Sequence, residues 1–190
     1  MFAALLDTCV LYPSVQRDFL LSLAIENLYR PLWSSEILAE LYDCEVDKLL
    51  QMQVPQAAAE SRAARLITMM RDHFDDAEVE NWESYVGTFG LPDLDDEHVL
   101  AAAQAGHAGA VVTLNLKDFP AEKVPHEIQI ITPTEFAANT VAVAPEVARG
   151  ALATIAARSN RPPVTVDDLP GILCQRYAMH EVVELMTEVS

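Results

Sequence analysis

An α/β domain built on a parallel sheet is what this sequence predicts, and three observations predict it. Short apolar runs recur over the first two-thirds of the chain, at residues 3–6, 28–33, 110–114 and 128–132. They are continuous rather than alternating, as in strands buried on both faces. Longer stretches with helical periodicity lie between them, and strand alternating with helix is the pattern of parallel pairing through crossovers. Polar side chains stand directly after two of the runs, Asp7 after the first and Asn115 with Asp118 after the third. In an open parallel sheet those strand ends line the ligand crevice.

The elements follow in order. The first run ends at Asp7, and Ser14 caps a helix whose face is Val15, Phe19 and Leu23, with Leu20 and Ala24 beside it. The run 28–33 is interrupted by Arg30 and Pro31. Ser34 or Ser35 then caps a second helix through about residue 50. Residues 57–72, rich in Ala, Arg, Leu and Met, read as a third helix, and the acidic stretch 75–85 as a fourth. Gly90-Leu91-Pro92 breaks the chain. Asp93 or Asp95 caps an Ala-rich helix continuing over 99–104, which Gly106 ends. Beyond the run 128–132, Pro133-Thr134 opens a helix to about residue 140. From about residue 141 no strand pattern remains. An Ala-rich helix over 145–158, a turn over 158–168 and one or two helices over 169–189 follow, the last with a face of Val182, Leu185, Met186 and Val189. The expected organisation is a domain over 1–136 and an α-helical extension over 137–190.

Composition narrows the function classes. A length of 190 residues suits one domain, or one domain with an appendage, and 51% hydrophobic residues are ample for a core. A charged fraction of 22% does not describe a disordered chain. No run of 18 apolar residues exists to span a membrane, and Asp7 comes too early for a signal peptide. Cys9, Cys44 and Cys174 are odd in number and widely spaced. Neither a disulfide framework nor a zinc site is suggested, and a reducing cytoplasm is expected. The net charge of −17 argues against a broadly basic nucleic-acid surface. Lys117, Lys123, Arg17, Arg158 and Arg161 can form local patches, or the acidic surface receives a basic partner.

Four acidic motifs carry the chemistry. Asp7 closes the strand LLDTCVL, where it can line a crevice or cap the turn through Thr8 and Cys9. Glu40 in SSEILAEL has Ile37 three residues before it and Cys44 four after, which places it on or beside the apolar face; Glu36 and Asp43 fall elsewhere. Asp96 in LPDLDDEHVLAAA precedes Val99, Leu100 and Ala103, so it shares their stripe in the first helical turn. Asp93, Asp95 and Glu97 read as caps or solvated neighbours, Asp95 also as a contact to metal through water. Asn115 and Asp118 in VVTLNLKDFP fall at a strand end, with Thr113 positioned to orient a ligand. Carboxylates beside apolar runs, with few Arg or Lys nearby, call for a metal counter-charge. Hard divalent cations such as Mg2+ or Mn2+ suit them. Cys9 has no basic partner in sequence, and His98 reads as a surface residue. There is no Walker A loop and no GxGxxG.

In this order the motifs LLDTCVLYP, SSEILAEL, DDEHVLAAA and VVTLNLKDFP resemble those of the PIN-domain ribonucleases, and within them the VapC-type toxins of bacterial type II toxin–antitoxin pairs. The resemblance covers residues 1 to about 136. It implies a Rossmann-like three-layer α/β/α sandwich and Mg2+- or Mn2+-dependent endonucleolytic cleavage of RNA. It implies Asp7 and Asp96 as principal metal ligands, Glu40 as a third acid, and Asp118 serving where Asn115 departs from the family's usual acid. Thr8, Asp95 and Thr113 fall around them. It also implies a cognate antitoxin, a homodimer, and a C-terminal helical extension as in a subset of such toxins.

Two other readings compete. An Asp at the end of a first strand also occurs in phosphatases of the haloacid-dehalogenase kind and in phospho-acceptor receiver domains. Against the former, residue 9 is Cys where a second Asp is required; against the latter, no second acid flanks Asp7. The other is a catalytically silent interaction module on the PIN scaffold.

Overall fold

The computed structural model describes residues 1–158 and 164–188. Its centre is a four-stranded parallel sheet of β1 (Ala3–Leu6), β2 (Arg30–Leu32), β3 (Ala110–Val112) and β4 (Gln129–Ile131), in the order β2-β1-β3-β4. A short helix α1 (Thr8–Leu11) follows β1, and α2 (Ser14–Ile25) carries the chain to β2. The long hairpin α3 (Ser35–Gln51) and α4 (Gln56–His73), then α5 (Glu97–Ala105), lie between β2 and β3. The chain leaves β1 for one neighbour and later crosses back over it to β3 on the other side. Right-handed crossovers in opposite directions put their helices on opposite faces, and α2 packs on β2 while α5 packs on β1 and β3. The α/β class and the parallel sheet are as the sequence predicted. The crossing point between β1 and β3 is where such a sheet opens its crevice.

The core follows from the apolar runs. Leu5 and Leu6 of β1 and Val111 and Val112 of β3 are fully buried, with Leu100 to Ala103 of α5 above them. Gly106 ends α5, as predicted, in tight quarters: a Cβ there would lie 2.7 Å from Val79 Cγ2 and 3.0 Å from Leu32 Cδ1. Ser34 rather than Ser35 is the cap of α3, its hydroxyl accepting the Ile37 N–H at 3.1 Å. Ser14 is the first helical residue of α2, with Pro13 in the cap position.

Four expectations are corrected. The stretch 75–85 is not a helix. Glu78 bridges Trp33 in parallel, and only Trp82–Tyr85 coils, as a 3-10 turn. Ala77 and Val79 are buried, so this segment lies along the sheet edge in extended form. Arg17 is no surface cation: it is buried and donates to Glu45 Oε1 and to the Leu11 carbonyl, each at 3.0 Å. Neither Asp93 nor Asp95 caps α5; Asp96 holds the cap position, and Asp93 Oδ1 instead accepts the Asp95 N–H at 3.0 Å. Strand β3 ends at Val112, leaving Leu114 exposed.

Beyond β4 come α6 (Pro133–Val143), α7 (Pro145–Arg158), α8 (Asp168–Tyr177) and α9 (His180–Thr187). Thr132 caps α6 with Pro133 at the favoured first position. Residue 136 falls inside α6, α7 packs on α2, and α9 packs on α6. Leu152, Ile155, Leu173, Val182 and Met186 therefore share one apolar cluster with the sheet. Residues 159–163 of the expected turn over 158–168, Arg161 among them, and Val189 lie outside the described residues. No single helix among those described is long and apolar enough to cross a membrane.

Candidate active site

Strand register brings the first two site residues together. Leu6 of β1 pairs with Val112 of β3, so the residues that follow, Asp7 and Thr113, stand side by side. Both are buried. The Asp7 N–H donates to the Val112 carbonyl at 3.1 Å, and the Thr113 hydroxyl donates to Asp7 Oδ2 at 2.6 Å. Thr113 Oγ1 also accepts the Asn115 N–H at 3.0 Å, which aims its own proton at Asp7. The Cys9 thiol donates to the same Oδ2 at 3.1 Å. Asp7 sits in the cap position of α1, yet its side chain makes no capping bond; its carbonyl accepts from Val10 and Leu11. Oδ1 receives no hydrogen bond among the described residues.

Glu40 approaches from α3 and is half-buried. Thr8 donates to its Oε2 at 2.5 Å, and His98 Nε2 lies 3.2 Å from its Oε1. A carboxylate can only accept, so that ring nitrogen carries the proton. Burial raises the Glu40 pKa, but the hydrogen bonds from His98 and Thr8 outweigh it and hold the carboxyl below its ordinary range. Burial pulls His98 down, and Glu40 and then Asp7 raise it on balance. His98 also meets the Trp82 ring edge-on, with centroids 6.2 Å apart. Its place in the site corrects the surface reading.

Asp96, at the head of α5, completes the picture. Burial and then the negative charges of Asp7, Asp118 and Asp93 push its pKa up to about 6, with His98 opposing. Asp7, Asp118 and Asp93 are thus near enough for their charges to act on Asp96. Asp118 is half-buried in the 3-10 turn Leu116–Asp118, its N–H donating to the Asn115 carbonyl at 3.0 Å. Asn115 and Asp95 are exposed. Cys9 is no nucleophile here: burial and the neighbouring Asp7 push its thiol up to about 12.

Next to Asp96, Glu97 is almost wholly buried rather than capping or solvated. It accepts the N–H groups of Gly87 at 2.9 Å, Phe89 at 3.3 Å and Leu91 at 2.9 Å. Burial raises its pKa, but these backbone donors bring it below the ordinary carboxylate value. Glu97 thereby anchors the loop that leads to Asp93, Asp95 and Asp96. Gly87 and Gly90 of that loop have φ of +79° and +67°, a region that favours glycine.

The donors fit a hard divalent cation in a particular way. No three His, Cys, Asp or Glu side chains among the described residues stand close enough to hold one ion. Magnesium, however, keeps several waters and takes only one or two carboxylates beside substrate phosphate. Asp7 with one oxygen open, and Asp96 crowded by like charge, are a pair of that kind. Glu40 has both oxygens engaged by protein donors.

A PIN domain family model matches residues 3–117, which span β1 to just past β3. PIN domains are in general metal-dependent nucleases. No curated protein and no solved structure matches the chain. With well over half of its length matched, and with a parallel sheet bearing acids at the C-terminal ends of its central strands, this chain belongs to the PIN domain family.

Proposed function

We propose that the chain is a metal-dependent endoribonuclease, acting as the toxin of a toxin–antitoxin pair in the cytoplasm. The observation that carries this reading is Asp7, held beside Thr113 at the crossing point of the sheet, with Asp96 near enough to feel the charges of Asp7 and Asp118, which add to burial in pushing its pKa up to about 6. Like charges so gathered call for a cation. Asp7 and Asp96 would hold Mg2+ or Mn2+, which when bound makes water a better nucleophile and offsets charge on the phosphate.

The protein's own residues supply the rest. Thr113 and Cys9 fix the Asp7 carboxylate through Oδ2 and leave Oδ1 toward the site. Thr8 and His98 keep Glu40 anionic and immobile, so it serves through water rather than as a direct ligand. Asp118, whose charge acts on Asp96, orients water or a second ion, with the exposed Asn115 beside it. The substrate is RNA, transfer or ribosomal. A basic segment of a cognate antitoxin would pair with the same carboxylates, and the toxin acts as a homodimer.

Cleavage of total cellular RNA by the purified full chain with manganese tests the activity, beside Asp7→Asn and Asp96→Asn. Discrete fragments are expected from the parent, with either variant slower by about 100-fold or more, the scale on which one electrostatic contact to a transition state is felt. Undiminished metal-dependent cleavage by both variants overturns the site. Metal binding without cleavage by the parent leaves a silent scaffold.

A further inference from the structure

A strongly acidic chain that cleaves a polyanion must present cations somewhere near its scissile site. Lys and Arg number 12 against 29 Asp and Glu, so few are available. Several of them are committed to structure. Arg17 and Lys48 are both within 3.0 Å of Glu45, Arg30 is 2.7 Å from Asp76, and Arg71 is 2.6 Å from Glu78. Lys117 and Lys123 are exposed and make no ion pair among the described residues. Both lie on the connection from β3 to β4, which starts at the crevice end of the sheet. Lys117 sits in the same 3-10 turn as Asp118, whose charge acts on Asp96. Lys123 lies across the loop that Glu97 anchors: its Nζ is 3.6 Å from where a Cβ on Gly90 would stand. That loop runs on to Asp93 and Asp96. Two exposed lysines without an ion pair among the described residues thus stand on one connection, one in the turn that carries Asp118 and the other against the loop that leads to Asp96.

We propose that Lys117 and Lys123 bind the phosphodiester backbone of the RNA strand next to the scissile phosphate, making the β3–β4 connection the substrate-gripping element of the site. The inference rests on the nuclease reading and deepens it. Ammonium groups on flexible stems suit such contacts, because they neutralise phosphate without reading sequence. The two lysines would draw the strand to its place while the carboxylates, repelling phosphate, admit it only with metal present.

Binding of a fluorescent single-stranded uridine oligomer tests this, measured by anisotropy over a range of salt with magnesium present. The background is the full chain carrying Asp96→Asn, so that the probe stays intact. Adding Lys117→Ala and Lys123→Ala is expected to weaken binding about 10-fold and to lower the log–log salt slope by about 1.4, that is ~0.7 for each of two phosphates on a single strand. Arg62→Ala with Arg65→Ala, on the exposed face of α4 and off the β3–β4 connection, removes equal charge and is the control. It is expected to change neither value. An unchanged slope in the lysine variant overturns the proposal. Equal losses in both variants reduce the effect to net charge and overturn it too, as does a parent that binds no oligomer. With Asp96 restored, the lysine variant should cleave with a raised KM and an unchanged kcat. Binding that depends on the lysines in a chain that cleaves no RNA would end the nuclease reading while leaving this one standing.

Discussion

Asp96 is a carboxylate whose ionisation opposes the metal-free fold. Its pKa rises from 3.8 unfolded to about 6 folded, so the native state holds its proton more tightly. The stability linked to that proton is full below 3.8 and is lost as pH climbs through about 6. In chelator at pH 7, Asp96→Asn should therefore melt above the parent. Allowing for solvent screening of a half-exposed group, the gain is about 1 kcal/mol, or roughly 2–4 °C at this chain length. At pH 4 the two melts should nearly coincide. Added magnesium or manganese should raise the parent and not the variant; a variant melting below the parent at pH 7 without metal contradicts the like-charge account. The neighbouring Glu97 behaves in the opposite sense, being stabilised as an anion by three backbone donors. Glu97→Ala should cost about 3 kcal/mol by leaving those N–H groups unpaired, with faster amide exchange at Gly87, Phe89 and Leu91 as the reporter. Asp7 and Asp96 were legible because a carboxylate beside an apolar run is anomalous. Glu97 and His98 were not, since nothing in one sequence tells which of four successive polar residues turns inward.

Among the elements, α3 shows how a local signal sets site geometry. The Ser34 cap fixes where the helix begins and hence where Glu40 points. Ser34→Ala should cost about 1 kcal/mol, read as a melt lowered by roughly 2–4 °C. Strands β1 to β4 and helices α2 to α5 were legible because their apolar runs agree with the fold, whereas of the expected N-terminal caps Ser34 alone held, Pro13 and Asp96 standing where Ser14 and Asp93 or Asp95 were expected. The segment 75–85 was misread because acidity and helix propensity were weighed over alternation. Ala77 and Val79 point inward while Glu78 and Glu80 do not share their burial, a period of two that marks extended chain. The bridge from Glu78 to Trp33 then decides the matter at tertiary level. The short helix α1 gave no sequence signal, since four residues are too few to show a period.

For the whole molecule, the tail packs into the same apolar core as the PIN domain. Leu152, Ile155, Leu173, Val182 and Met186 complete the cluster that contains the sheet. A chain ending at residue 136, within α6, should expose that surface, bind hydrophobic dye and lose a cooperative melt. A sharp melt from the truncated chain would instead make 137–190 a true appendage. The change of texture near residue 141 was visible in the sequence, but the packing of α7 on α2 and of α9 on α6 was not. The Asp7–Thr113 hydrogen bond joins residues 106 apart in sequence. During synthesis Asp7 is made long before its partner strand β3 and Asp118. On the proposed reading, a nascent chain therefore has no assembled site, and no means to cut the RNA that is making it, until β3 and the turn bearing Asp118 have emerged.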